Sequence, residues 1–435
     1  MEFRTGILFV SVCFFAASAG TVSAAVAVSY EVGIWGNFCK GAVSFTFDDN
    51  CPNQLAVAQP LFDAKKFHMT YFVVVDWKHD WSKYREAYNK GHEIGSHTLN
   101  HNTPMKPDEA QPSQDSIKKN IPGEMCISIA YPGCPAPADL STVKKYYIVG
   151  RICTGTANAE TPANFYGISS AICGTSGTNT LQGLTSLADQ AASSSGWCVY
   201  LMHAIDKEPA GTTAASPTSS SLLKDVISYM DVNRDKLWVE SMGNVVRYCK
   251  ERDAAAITQK DSTGTGITLS VTDNLADSIF NYPLSVRRPL PEGWAAATVT
   301  QKGKPVEHTM VTVGDKKYIM FKAIPDGGDV VLSQNATAAN NRGCRPDATG
   351  ASLVRLSRNT LIIDSHRLSA SMVHAAMFDI RGKLLVRRVF PSVGGADFAL
   401  PIGNTVWTPL IFKIDGNGKS LSGMLVPEMK IPVIH

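Results

Sequence analysis

Between residues 37 and 256 short apolar runs alternate with amphipathic stretches, and this rhythm constrains the fold more than any other feature of the chain. Ala42–Phe47 has the β-branched and aromatic make-up of a strand. Residues 53–66 follow with Leu55, Ala58, Leu61 and Phe62 at helical spacing. Met69–Val75 predicts a second strand, and Trp81–Lys90 a helix closed by Gly91. Val199–Met202 and Leu237–Glu240 predict further strands, followed by helices over Leu222–Asn233 and Met242–Glu251. Strand and helix alternating over about 200 residues predict an α/β domain with a parallel sheet, because each helical crossover returns the next strand in the same direction.

The texture changes near Ile257. Runs such as Ile267–Val271, Tyr318–Phe321 and Val330–Leu332, punctuated by Pro and Gly, predict a β-sandwich-like module over residues 257–335. Residues 336–350, rich in Asn, Ala and Gly, read as a linker. Residues 351–435 read as a second β module, with strands within Val373–Ile380, Lys383–Val389 and Leu410–Ile414. Three domains suit a length of 435 residues, which exceeds what one core usually organises.

The first 24 residues read as a signal peptide, with Arg4 at the start, an apolar run over Ile7–Ala17, and small residues at Val22-Ser23-Ala24. The expected location is secreted or cell-surface. The apolar run is short for a membrane span and no later stretch is longer, so no stable span is expected. A net charge of +3 with no long basic run leaves nucleic acid without an electrostatic footprint. Removing Cys13 from ten cysteines leaves an odd set in an oxidising compartment, which implies disulfides and a free thiol. Cys126 with Cys134 and Cys153 with Cys173 are reasonable pairs, although spacing does not settle connectivity. No CxxC spacing occurs, which argues against a thiolate zinc site.

Three segments carry chemistry. Asp48 and Asp49 close the first strand as adjacent carboxylates. Neighbours on a strand face opposite sides, so both can serve one site only where the chain bends. An exposed Asp-Asp-Asn turn is the plain alternative. His97 and His101, four apart, lie on one face of a helical turn and can converge on one metal. His203 ends the apolar strand from Trp197, at the strand end where parallel α/β sheets collect their active residues. An Asp and two His with open positions suit Zn²⁺. The spare carboxylate can then accept a proton from water, and the spare His can protonate a leaving group, as acyl hydrolysis requires.

The order TFDD, then HEIGSHTLNH, then LMH resembles the polysaccharide deacetylases (NodB homology, carbohydrate esterase family 4) over residues 40 to 255. The resemblance implies a distorted (β/α) barrel with fewer than eight strands, here over residues 35–256. It implies Asp48 as base, His203 as acid, and Asp49, His97 and His101 as ligands of a divalent metal, zinc foremost with cobalt or another ion as alternatives. The family often carries Arg-x-Pro-Tyr, where the Arg orients the base and a backbone N–H meets the oxyanion. This chain has Ala130-Tyr131-Pro132-Gly133 instead. We expect Arg151 to supply the guanidinium from the next strand and Gly133 the N–H.

Tyr131 and Trp197, with Trp77 and Trp81, are candidates for stacking against sugars, with core packing as the alternative. The first β module looks like a small domain that follows some of these esterases. The last resembles the sorting domain of type IX secretion, which would engage secretion machinery, and carbohydrate binding is the competing reading. The expected function is an acetylxylan esterase acting on acetylated polysaccharide. The alternatives are an N-deacetylase of chitin-type or peptidoglycan amino sugars, and a non-catalytic carbohydrate-binding barrel, which the missing Arg favours.

Overall fold

The computed structural model describes residues 30–335 and, beyond them, a set of strands between residues 354 and 425. The expected leader at 1–24 and the expected linker at 336–350 lie outside the described residues. The chain divides into two compact units, one running to Asn340 and the other starting at Asn341.

A short strand, β1 (Glu31–Val32), precedes the barrel. The barrel strands are β2 (Gly41–Asp48), β3 (Thr70–Val73), β4 (Glu93–Ser96), β5 (Ser128–Ala130), β6 (Val149–Arg151), β7 (Ala171–Ile172), β8 (Trp197–Met202) and β9 (Leu237–Val239). Their order is β6-β5-β4-β3-β2-β8-β7, with β9 also paired to β2, and every pairing is parallel. The sheet curls until its edges meet through the segment that leads into β7. Ile168 exchanges hydrogen bonds with β6 and its continuation, and Ala171–Ile172 then pair with Tyr200–Leu201 of β8. The result is a distorted (β/α) barrel with eight strands rather than the fewer expected, because the short β7 and β9 join the sheet beside β8 and β2.

Residues 53–66 do not form one regular helix. Gln54–Ala58 is a π-helical turn, followed by α1 (Gln59–Asp63). Pro60 supplies the reason, since it has no N–H to bond the carbonyl four residues back. The register widens, and the Gln59 N–H reaches the Gln54 carbonyl. The remaining helices are α2 (Trp81–Asn89), α3 (Ala110–Asn120), α4 (Ser141–Tyr146), α5 (Leu181–Ser193), α6 (Ser220–Val232) and α7 (Met242–Ala254). Asp80, Thr180 and Ser219 cap α2, α5 and α6 by accepting from first-turn N–H groups.

The barrel strands are buried along their length, as both faces of a covered parallel sheet must be. Phe45, Phe47, Phe62, Tyr71 and Tyr200 fill one apolar cluster. A second begins at Trp35, Trp197, Trp238 and Tyr248 and continues into Leu284, Val286, Ile319 and Phe321. Residues 256–334 form two antiparallel sheets whose strands alternate buried and accessible positions, as in Gly266–Thr272. Their inner faces share that second cluster with the outside of the barrel.

The second unit contains a three-stranded antiparallel sheet from Val354–Ser357, Thr360–Ile363 and Phe398–Pro401. It also contains a four-stranded antiparallel sheet from Met372–Asp379, Leu384–Pro391, Leu410–Gly416 and Lys419–Leu425. Among the described residues no helix is long and apolar enough to cross a membrane.

Candidate active site

The C-terminal ends of β2, β4, β6 and β8 bring together five of the expected residues with Arg151. At the end of β2 the backbone turns left-handed, with φ of 72° at Asp49 and 53° at Asn50. That turn swings two neighbouring carboxylates towards one site. Asn50 pins it, donating from Nδ2 to the Val74 carbonyl at 2.8 Å and accepting the Val74 N–H at 3.0 Å. Thr213 donates its hydroxyl to the Asp49 carbonyl. Neither Asn50 nor Thr213 carried a recognisable signal in the sequence beyond adjacency to the Asp pair.

His97 and His101 converge, though not on a helix. β4 ends at Ser96, and Thr98 and His101 both have positive φ, 67° and 60°. Side chains hold this loop where a helix would use its backbone. Ser96 Oγ accepts the Thr98 N–H, Thr98 Oγ1 accepts the His101 N–H, and Glu109 accepts the Asn100 N–H. Spacing of four suited either conformation. The Ser and Thr hydroxyls beside the histidines decided it.

His97 Nδ1 donates to the Ala130 carbonyl at 2.8 Å, which turns the Nε2 lone pair towards Asp49. His97 Nε2 and His101 Nε2 each lie 3.5 Å from Asp49 Oδ1. Two ligands about 2.0–2.2 Å from a tetrahedral ion stand about 3.3–3.6 Å apart, so the spacing suits Zn²⁺ or a similar ion. The three donor atoms lie within 4.8 Å of one another. Asp49 Oδ1 is buried without a hydrogen bond. Burial and the neighbouring Asp48 charge push the Asp49 carboxyl up to about 6, while burial lowers His97 to about 4. A buried, uncompensated carboxylate beside two neutral imidazoles is a cation site in its chemistry.

Arg151 fills the place left by the missing motif Arg. β5 and β6 run in parallel register with Ala130 opposite Arg151, so a guanidinium absent from one strand arrives from the adjacent position on the next. It donates to Asp48 Oδ2 at 2.5 Å and to Thr46 Oγ1 at 3.2 Å, and both members of the ion pair are 2% exposed. Burial alone would raise the Asp48 carboxyl, yet Arg151, His97 and His203 hold it below the usual carboxylate range. Asp48 Oδ1 is buried and unpaired. On the other side, His203 Nε2 stands 3.8 Å from Asp49 Oδ2. Gly133 lies exposed in the turn after β5, with φ of 68°.

Two expected sugar contacts are corrected. Trp197 is fully buried and donates Nε1 to Ser44 Oγ, and Tyr131 is buried with its hydroxyl on the Tyr166 carbonyl. Trp197 opens β8 at the end away from the site, and Tyr131, just past β5, packs into the apolar cluster. Trp77 does stand at the rim, its ring 5.0 Å from that of His101. Beside it opens a cavity of about 960 Å³ lined by Leu55, Pro60, Trp77, Tyr84 and Thr213.

The disulfide also differs from expectation. Cys134 is bridged to Cys153, while Cys126 and Cys173 are buried free thiols. The parallel pairing of β5 with β6 brings residues just beyond the two strand ends together, with Cα atoms 5.3 Å apart. Linear spacing could not report that neighbourhood.

Residues 36–124 match the family model described as polysaccharide deacetylase. A gellan lyase from Bacillus sp. is 28% identical over 341 residues, covering 72% of this chain, which spans 13% of the relative's length. Among solved structures, a family 4 acetyl xylan esterase from Clostridium thermocellum in complex with cobalt is similar at 19% identity, with a TM-score of 0.31 over 47% of this chain and 89% of that one. The peptidoglycan deacetylase PdaC from Bacillus subtilis is similar at 15% identity, with a TM-score of 0.34 over 49% and 93%.

Proposed function

We propose that this chain, whose residues 36–124 match the polysaccharide deacetylase model, is an exported, metal-dependent carbohydrate esterase that releases acetate from a polysaccharide. One observation carries the reading. A three-donor cation site lies between an ionised carboxylate with a free oxygen and an imidazole at the opposite edge. Asp49, His97 and His101 would hold a divalent ion, which would supply Lewis acidity to the acyl carbonyl and the attacking water. Zinc is our first choice, since the donor spacing suits tetrahedral coordination.

Asp48 Oδ1 is free to take the proton of the attacking water, because Oδ2 is held by Arg151. Arg151 keeps that carboxylate ionised and fixes its rotamer. His203 Nε2 supplies a proton to the departing sugar oxygen. The Gly133 N–H, in the turn beside the site, serves the oxyanion. Arg151 answers the reading of the barrel as a mere binder, since a binding protein needs no buried guanidinium holding a carboxylate beside a cation site.

We take O-acetyl groups of xylan as the substrate, in keeping with an exported chain that carries appended β modules. Acetate release from acetylated xylan and from acetylated chito-oligosaccharides, with and without chelator, tests both levels. Release from xylan that stops with chelator and returns with Zn²⁺ supports the proposal. Release from the chito-oligosaccharides alone overturns the substrate, and chelator-insensitive release overturns the mechanism.

A further inference from the structure

Gln54 belongs to none of the motifs that built the site, yet it touches the backbone of both the base and the acid. The ladder between β2 and β8 runs in register from Ala42 opposite Trp197 to Phe47 opposite Met202, and there it stops. Asp48 and His203 are the next residue along each strand. On its other edge Asp48 still pairs with Phe72 of β3, but towards β8 the sheet offers nothing further. A side chain replaces the missing rung. Gln54 Nε2 donates to the Asp48 carbonyl and, at 3.0 Å, to the His203 carbonyl. Both partners are carbonyl oxygens, which only accept, so the amide nitrogen must face them.

Gln54 is 1% exposed, so water does not compete for these bonds. The π-helical turn that begins at Gln54 places it directly behind the strand ends, and such turns recur at functional sites. Gln59, five residues on, gives the contrast. It is also buried and shares the Tyr71 hydroxyl with the Gln54 carbonyl, but its side chain bonds Tyr71 and Asp63 and neither catalytic backbone.

We propose that Gln54 is a positioning residue whose amide clips the ends of β2 and β8 together and so sets the separation between Asp48 and His203. The inference rests on the deacetylase reading of those two residues. Base and acid act on opposite sides of one acyl carbon, so their spacing must be held to a fraction of an ångström.

The test compares wild type with Gln54→Met, which keeps the volume and loses both donors, and with Gln59→Met as a control for structure alone. Metal content, melting temperature, kcat and KM are measured on acetylated xylan and on 4-nitrophenyl acetate, whose leaving group needs little help from an acid. Gln54→Met should keep its metal and a KM within about threefold, while kcat on xylan falls about 30- to 100-fold. The loss on 4-nitrophenyl acetate should be smaller, and Gln59→Met should melt earlier with kcat unchanged. A kcat for Gln54→Met within about threefold of wild type overturns the proposal, as does an equal kcat loss in Gln59→Met. If Gln54→Met does not fold, Gln54→Asn keeps the amide but lacks the reach, and wild-type kcat in that variant overturns the proposal equally. A wild-type chain that releases no acetate from any substrate sinks the deacetylase reading, and this inference with it.

Discussion

In an Arg151→Ala variant, Asp48 keeps its burial and loses its counter-charge. The wild-type pair is 2.5 Å apart and 2% exposed on each side. Removing one partner of such a buried pair costs about 3–5 kcal/mol. Asp48 should therefore titrate higher in the variant than in the wild type. The sign follows from burial, which raises a carboxyl once no guanidinium opposes it. A base works only when ionised, so the acid limb of the kcat/KM profile should move to higher pH. Activity should fall on the acid side of neutral pH, with partial recovery as the pH rises. In the wild type, the depressed Asp48 value also contributes stability that is present above the ordinary carboxylate range and lost as pH falls through the folded value. The assay is acetate release from acetylated xylan between pH 5 and 10, with metal content measured on the same samples. Arg151→Lys restores a charge without the fork and should recover part of the rate. A metal-loaded Arg151→Ala enzyme with wild-type kcat and an unmoved acid limb would refute the reasoning.

Three further outcomes are expected. Asp49→Ala should weaken Zn²⁺ binding about 100-fold by calorimetric titration, taking a roughly equal share of binding free energy per ligand, and unchanged affinity would remove Asp49 from the donor set. Burial and the Glu93 charge raise Glu124 to about 7, so the fold gives up stability as pH rises from the ordinary Glu range to that value. Glu124→Gln should flatten the melting temperature between pH 5 and 8, while losing one of the two backbone N–H bonds that the carboxylate accepts from Ile94 and Cys126, whereas a curve parallel to wild type would contradict this. Cys134→Ser opens a bridge with a sequence separation of 19 and should cost about 3 kcal/mol in denaturant unfolding. A variant as stable as wild type would show that the bridge constrains little.

Much of the site was legible because its residue types are chemically scarce and sit at strand ends. A run of apolar residues finishing in Asp48-Asp49 or in His203 announces both the strand and the edge at which a parallel sheet gathers its chemistry. The histidine pair was legible as a ligand pair but not in its backbone. The spacing of His97 and His101 fits a helical turn, while the Ser96 and Thr98 hydroxyls bond the loop instead. Trp197 and Tyr131 misled because proximity in sequence is not proximity in space: β8 carries Trp197 a full strand length from His203, and Tyr131 turns into the apolar cluster.

The linear chain, through its periodicity and scarce motif residues, determined the alternating α/β plan, the Asp and His donor set, and the absence of an Arg before Tyr131. Which cysteines meet, which guanidinium reaches Asp48, and what holds Asp48 beside His203 were decided by the curled sheet. The reason is one of range. Periodicity and ligand spacing are local and survive in one dimension. Register between β5 and β6, or a glutamine bridging the ends of β2 and β8, joins residues whose distance along the chain carries no record of their contact.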